Sequence, residues 1–364
     1  MSRPQPTFRP PHCPRTHCAY HHCAKGWRWT RHGSYSRAAS PCRIPRFRCG
    51  HCGATFSTQT FSITYWCRRP DLLIPVARGL LACSGYRQIA RGKGCKPPVV
   101  MRLAARIGRH ALLLLWEMRP RRPIEEPLVV DGFESFAWSQ FHPLYLNLVV
   151  GASHYCYGFT ISLLRRKGSM TAAQKRQRVR LEAEHGRPDP RAIQRDTAAA
   201  IRLAAPEPQP LVVRSDEHMA YPRALRSLVG YDIRHERTSS LAARTAGNPL
   251  FPVNRLDGSL RHNSANHKRE TIAFSKLHQA ALERAAWLLA WQNLAKPFSE
   301  KEGRTTPAMM AGHQPRRWGV AELLQQRLFP SRVRLPAVWA AYYRGEVRTA
   351  PVRHQRRHQL KLAY

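Results

Sequence analysis

Leu128 to Phe136 (LVVDGFESF) is an apolar run that ends on carboxylates, and it constrains the chain more than any other stretch. Tyr145–Val150 (YLNLVV) and Tyr157–Leu164 (YGFTISLL) follow it closely. Short apolar runs of this kind predict strands covered on both faces. A sheet built from them needs helices packed against it. A carboxylate at the end of a covered strand is costly unless it is paired or holds a cation. Asp131 is therefore the first residue for which a chemical role is expected. Leu211-Val212-Val213 repeats the pattern, running into Arg214-Ser215-Asp216-Glu217.

Charge narrows the partner. The 364 residues carry 60 Lys and Arg against 22 acids, a formal net charge of +38. Solubility needs far less, so a polyanion is expected, and nucleic acid suits basic residues spread along the whole chain better than a membrane surface does. A hydrophobic content of 43% argues against a disordered basic protein, since it can build a core. The start, MSRPQPTFRPPHC, has no apolar segment of the kind a secretion signal needs, and the run Ala111–Trp116 is far shorter than the roughly 20 residues of a membrane span. A cytoplasmic, nucleoid-associated protein with no membrane partner is the expectation.

Five of the ten cysteines lie between Cys13 and Cys49, with Cys52 just beyond. Without a secretion signal this clustering favours a metal over disulfides. Cys49-Gly50-His51-Cys52-Gly53 is the stronger knuckle, and Gly53 permits the tight turn that lets two thiolates converge. Cys13 and Cys18 are the partner pair, although Cys23, His17, His21 and His22 compete for the role. Residues 1–70 thus read as a zinc ribbon, with zinc replacing a core too small to form alone. The alternative is a set of exposed thiols on a basic arm.

Residues 71–118 predict a helix-turn-helix unit. Asp71 is a candidate N-cap, and Leu72, Val76 and Leu80 share a helical face. Tyr86–Arg91 forms a short helix, Gly92-Lys93-Gly94 a turn, and Pro97-Pro98 opens a longer helix with Arg102, Arg106 and Arg109 between its apolar positions. A basic second helix after a glycine turn is the arrangement that enters a major groove, so those three arginines are candidate DNA contacts. An ordinary three-helix core with a solvated Arg face is the competing reading.

Residues 119–127 are a Pro/Arg linker, and 128–300 are an α/β layer with a helical insert at 168–210. Residues 301–364 are a basic, Pro-punctuated extension. Cys156 reads as a buried thiol, Trp287 and Trp291 as core, and Glu283 as a surface acid.

Two acids at strand ends, with a third downstream at a helix, are what oxygen-liganded Mg²⁺ (or Mn²⁺) needs for phosphodiester chemistry. On this order the chain resembles bacterial insertion-sequence transposases of the DDE, RNase H-like class, in the branch with an N-terminal zinc ribbon. Carrying the resemblance are Arg48–Ser57 around Cys49 and Cys52, Tyr86–Ala90, Val130-Asp131-Gly132-Phe133-Glu134, Arg214-Ser215-Asp216, and Arg261-His262-Asn263 followed by Arg269–Lys276. It spans roughly residues 10 to 300.

The resemblance implies a multidomain α/β fold: zinc ribbon, helix-turn-helix, then an RNase H-like mixed sheet flanked by helices. It implies Asp131 as the first catalytic carboxylate and Asp216 as the second. The family places a Glu just before Arg-His-Asn. Here Leu260 stands there, and the nearest upstream acid is Asp257, which is taken as the third ligand, with Glu270 as runner-up. Arg261 and His262 are expected at the DNA. The implied partners are element ends and target DNA, joined by a homo-oligomer. A DNA-binding regulator without catalysis, or a decayed transposase, is the rival reading. Asp216 alone also fits an N-cap, and Asp131 the start of a turn.

Overall fold

The computed structural model describes residues 8–355, 357 and 358; the outer ends of the first and last expected units, 1–7, 356 and 359–364, lie outside these. The described residues form a mixed α/β protein with a three-stranded and a five-stranded sheet and eleven α-helices.

The small sheet is antiparallel: β1 (Trp29–Ser36), β2 (Arg43–Cys49) and β3 (Thr55–Ser57). Its core consists of Phe47, Phe56 and Phe61 together with Cys13, Cys18 and Cys49, closed from the far end of the chain by Phe329.

Three helices follow, α1 (Leu73–Leu81), α2 (Tyr86–Gly92) and α3 (Pro97–Glu117). Proline at the first position of α3 costs nothing, because that N–H has no partner in a helix. Across residues 119–127 the chain is held against the sheet. Ile124 is buried, and Glu126 accepts hydrogen bonds from the Ser153 N–H and hydroxyl and from the Tyr157 hydroxyl.

The large sheet begins with a meander, β4 (Leu128–Phe136), β5 (Pro143–Gly151) and β6 (Cys156–Leu163). After α4 (Ala172–His185) and α5 (Ala192–Ala204) comes β7 (Pro210–Ser215), which pairs parallel to β4. Then α6 (Ala220–Arg226) crosses to β8 (Asp232–Arg237), parallel to β7. The strand order is β6-β5-β4-β7-β8, so β4 is central and its neighbour changes from antiparallel to parallel. This explains the near-continuous apolar runs of β4, β5 and β6: covered strands have no wet face to alternate with.

Within the insert, the two helices differ. α5 lays Ala198, Ile201, Leu203 and Ala204 on the sheet, whereas α4 buries no residue. Next come α7 (Phe251–Asn263) and α8 (His278–Leu294), then the short helices α9 (Pro307–Met310), α10 (Val320–Gln325) and α11 (Ala337–Tyr343). α3 packs along α8, and one hydrophobic core joins α1, α3, the sheet, α8 and α11. Cys156 and Trp287 are buried in it and Trp291 packs at its margin. Glu283 is not at the surface as expected: it is 6% exposed on the α8 face that meets α3.

Candidate active site and metal centre

In the cysteine module, Cys13 and Cys18 stand on the turns before β1, Cys49 ends β2, and Cys52 lies on the turn into β3. Their four sulfurs lie within 4.8 Å of one another, with Cys13–Cys52 at 3.6 Å and Cys18–Cys49 at 4.0 Å. A Zn–S bond of about 2.3 Å sets tetrahedral S–S edges of roughly 3.8 Å, so this group is of zinc-binding size. Burial pushes the Cys13 and Cys18 thiols up. Burial also works against ionisation of Cys49, but backbone N–H groups of Cys52 and His51 and the Trp27 indole, 3.2 Å away, outweigh it and bring that thiol down to about 6. Cys23 and Cys42 are exposed and outside the group. His21, a competitor in the sequence, turns its Nδ1 to the Cys13 carbonyl at 2.8 Å and its Nε2 to the Ser331 hydroxyl at 2.7 Å.

The acids lie elsewhere: Asp131 stands within β4, not at its end as expected, and Asp216 just past the end of β7. The parallel register pairs Leu128 with Val213 and Val129 with Arg214. Continued by two residues, it sets Asp131 level with Asp216, on strands about 4.8 Å apart. Asp131 Oδ1 accepts from the Gly132 N–H at 2.7 Å and from the Tyr221 hydroxyl at 3.0 Å. Tyr221 in turn receives the Tyr145 hydroxyl at 3.0 Å. Asp216 Oδ1 accepts from the His218 N–H at 2.9 Å, as an acid at a strand–helix turn does.

Asp257 sits in the middle of α7, which packs against β4 and β5. Its carboxyl is pushed up to about 8, by burial first and then by the charge of Asp131, with Arg261 and Arg244 opposing. Asp131 is also raised, by burial first, with the charge of Asp216 adding to it. Asp257 Oδ1 is buried with no hydrogen-bond partner among the described residues. A buried carboxylate oxygen left unpaired is expensive, and the expense disappears when a cation completes it. The three acids offer the oxygen donors a divalent cation prefers, but among the described residues only the four thiols are grouped tightly enough to hold an ion. Glu270 lies beyond α7 in an exposed stretch.

The expected DNA contacts divide. Arg102 and His262 are exposed. Arg106 and Arg109, expected to face DNA, are turned into the protein instead. Arg106 donates to the carbonyls of Ile63 and Tyr65 at 2.6 and 2.8 Å, and Arg109 lies 3.9 Å from the buried Glu283. Both are half-buried, Arg106 by the segment before α1 and Arg109 by the packing of α3 along α8. Arg261 is half-buried between α7 and β4, over the Phe133 ring at 4.5 Å and donating to the His267 carbonyl at 3.1 Å.

Tyr145, Tyr221 and Arg244 do not stand out in the sequence. One signal does exist for Tyr145. A glycine inside a strand marks a close approach, and a Cβ on Gly132 would fall 1.6 Å from the Tyr145 ring. Tyr221 gives no such sign, because a tyrosine on a short helix reads as core.

No family model matches the chain, and no curated protein matches it. Among solved structures, the chain is similar to one in the simian T-cell lymphotropic virus intasome in complex with PP2A regulatory subunit B56 gamma. There the identity is 12%, over 68% of this chain and 75% of that one, with a TM-score of 0.25. A likeness that loose leaves function to the residues themselves.

Proposed function

We propose that the chain is a DNA transposase that uses Asp131, Asp216 and Asp257 to hold magnesium or manganese at a phosphodiester. The observation that carries this reading is the triad of carboxylates: Asp131 on β4, Asp216 just past β7 where the register continues level with it, and the half-buried Asp257, whose Oδ1 has no hydrogen-bond partner among the described residues. A protein of net charge +38 that collects acids at one point does so against its own composition.

Bound there, the metal ions would activate the attacking oxygen and neutralise charge on the leaving oxygen. The chain's own residues do the rest. Tyr221, fixed by Tyr145, ties up one oxygen of Asp131 and leaves the other to face the site. The exposed Arg244, whose charge reaches Asp131 and Asp257, is placed to meet a phosphate. In the first step water adds to phosphorus, the P–O3′ bond breaks, and the 3′ oxygen takes a proton. In the second, that 3′-OH forms a new P–O bond in target DNA and displaces the target's own 3′ oxygen.

The four-cysteine module fits structural zinc, and with the helices after it would recognise the terminal repeats. Two ends must be joined, so the active form would be a homo-oligomer on DNA. No helix among the described residues is long and apolar enough to cross a membrane.

The test is magnesium-dependent nicking of a duplex carrying the inverted repeats that flank the element. Asp131→Asn, Asp216→Asn and Asp257→Asn should each lower nicking by on the order of 1000-fold, while Glu270→Gln should leave it within about threefold. Unchanged nicking in Asp131→Asn and Asp216→Asn would reject the site. Loss in Glu270→Gln with activity kept in Asp257→Asn would exchange the third ligand. No nicking by the parent protein would favour the regulator.

A further inference from the structure

α4 is polar on every side and buries nothing, so packing does not hold it. Its Thr171 capping box with Gln174 closes one end, and Glu182 ties it to the body through Arg165 at 2.7 Å. Arg178 adds an ion pair with Glu182 at 3.5 Å and donates to the Arg166 carbonyl at 3.1 Å. Beneath the helix is a cavity of about 290 Å³, bounded also by His142, Arg187 and Arg348. Among the described residues Glu182 is its only acid, and two arginines already engage it. Buried at this place are Nε of Arg166 and Nε2 of His142, neither with a hydrogen-bond partner among the described residues, while Nε of Arg178 has only the 3.5 Å contact with Glu182. Two buried nitrogens without partners, in a cavity walled by guanidinium groups, leave room for an anion with several oxygens.

The cavity does not stand alone. Arg166 and Pro143 also line a second one, of about 430 Å³, whose walls carry Lys167, Arg261, Lys268 and Arg269. That second cavity reaches Glu134, three residues along β4 from Asp131, or about 10 Å. With Arg166 and Pro143 as a shared wall, the two cavities make one basic trough.

We infer that this trough binds the phosphates of a nucleic-acid backbone, with the cavity under α4 taking one phosphate and the Lys167–Arg269 stretch its neighbours. Nucleic acid as the source of the phosphate rests on the function proposed above. The site itself rests on the unpaired nitrogens and the shared wall.

The test uses the full chain and a fluorescein-labelled duplex of arbitrary sequence, titrated by anisotropy over a range of salt with no magnesium added. Lys167, Arg187 and Arg348 are exposed, so Lys167→Gln/Arg187→Gln/Arg348→Gln should fold as the parent does. Each side chain that no longer neutralises a phosphate should lower the slope of log K against log salt by about 0.9. The triple variant should therefore lose between about 2 and 3 and bind on the order of 100-fold more weakly at about 0.15 M salt. Arg187→Gln alone should lose about 1 and guards against a folding defect. Slope and affinity equal to the parent's in both variants overturn the inference.

A second arm titrates inorganic phosphate calorimetrically into parent and triple variant. Phosphate binding that disappears in the variant while duplex binding stays intact would make the ligand a small phosphate and overturn the nucleic-acid assignment. Because duplex binding needs no magnesium, its loss is separable from loss of nicking in Asp131→Asn.

Discussion

A single hydroxyl decides how Asp131 presents itself. Tyr221 donates to Oδ1 at 3.0 Å, and burial holds the tyrosine's own proton on by pushing its ionisation upward. Tyr221→Phe removes the donor without opening a cavity, since only the oxygen goes. A hydrogen bond to a charged group contributes about 1.5–3 kcal/mol, so nicking should fall roughly 10- to 100-fold, with the magnesium concentration for half-maximal rate rising as Asp131 loses its fixed orientation. Stability should fall by no more than about 3 kcal/mol, measured by urea unfolding. Nicking unaffected at any magnesium concentration would remove Tyr221 from the site. The contrast with Asp131 shows what sequence can carry at this scale. A charge closing an apolar run announces itself. Tyr221 acts through a contact with a residue 90 positions away, and nothing in its own neighbourhood marks that.

At the scale of elements, the α3–α8 seam explains why part of the expected DNA-binding surface lies inside the protein. Both helices are legible from their apolar spacing. Their contact is not, because it depends on Gly108: a Cβ there would stand 2.4 Å from the Cβ of Glu283, so the backbones can close only over a glycine. That approach buries Glu283 and draws Arg109 inward, and what read as two solvated charges is an interior pair at 3.9 Å. Burial first, against the opposing charge of Arg109 and a hydrogen bond from Gln279, pushes Glu283 up to about 7. Its unfolded value is about 4.3. Between those values the native state holds a proton that the unfolded chain has released, so Glu283 makes stability fall as pH rises from about 4.3 to 7. Glu283→Gln keeps the Gln279 neighbour and cannot titrate. Its stability relative to the parent should therefore rise by roughly 3 kcal/mol between pH 4 and pH 8, read from urea unfolding at both values. A difference that stays flat across that range would mean Glu283 titrates as an exposed acid.

Across the whole molecule, the mixed α/β character is legible in the sequence, and the contacts that join distant stretches are not. The small aromatic sheet, the three helices and the mixed sheet all follow from local pattern: knuckle glycines, caps and apolar runs. The last stretch of the chain is legible only as a basic extension with scattered apolar residues, because its partners lie at the opposite end of the sequence. Phe329 packs on Phe61 at 5.6 Å and on His12 at 5.2 Å, Ser331 meets His21 at 2.7 Å, and Arg332 donates to the His22 carbonyl at 3.3 Å. His12 and His21 are themselves held by the Cys13 carbonyl. The extension thus grips the segment that carries two of the four thiols, so the metal and the chain end should be coupled. Zinc held by the four thiols would be the principal source of order in a unit with so small a core. Chelation should release about one zinc per chain and loosen that unit together with the grip of Phe329. Trypsin should then cut after Arg327 and Arg332 at least about tenfold faster than in the loaded protein, while the large sheet, with its separate core, keeps its unfolding transition. Cys49→Ser should behave as the chelated protein does without any chelator. Cleavage at the same rate in loaded and chelated protein would uncouple the two ends, and zinc content below about half an equivalent in the purified chain would deny the thiols their metal.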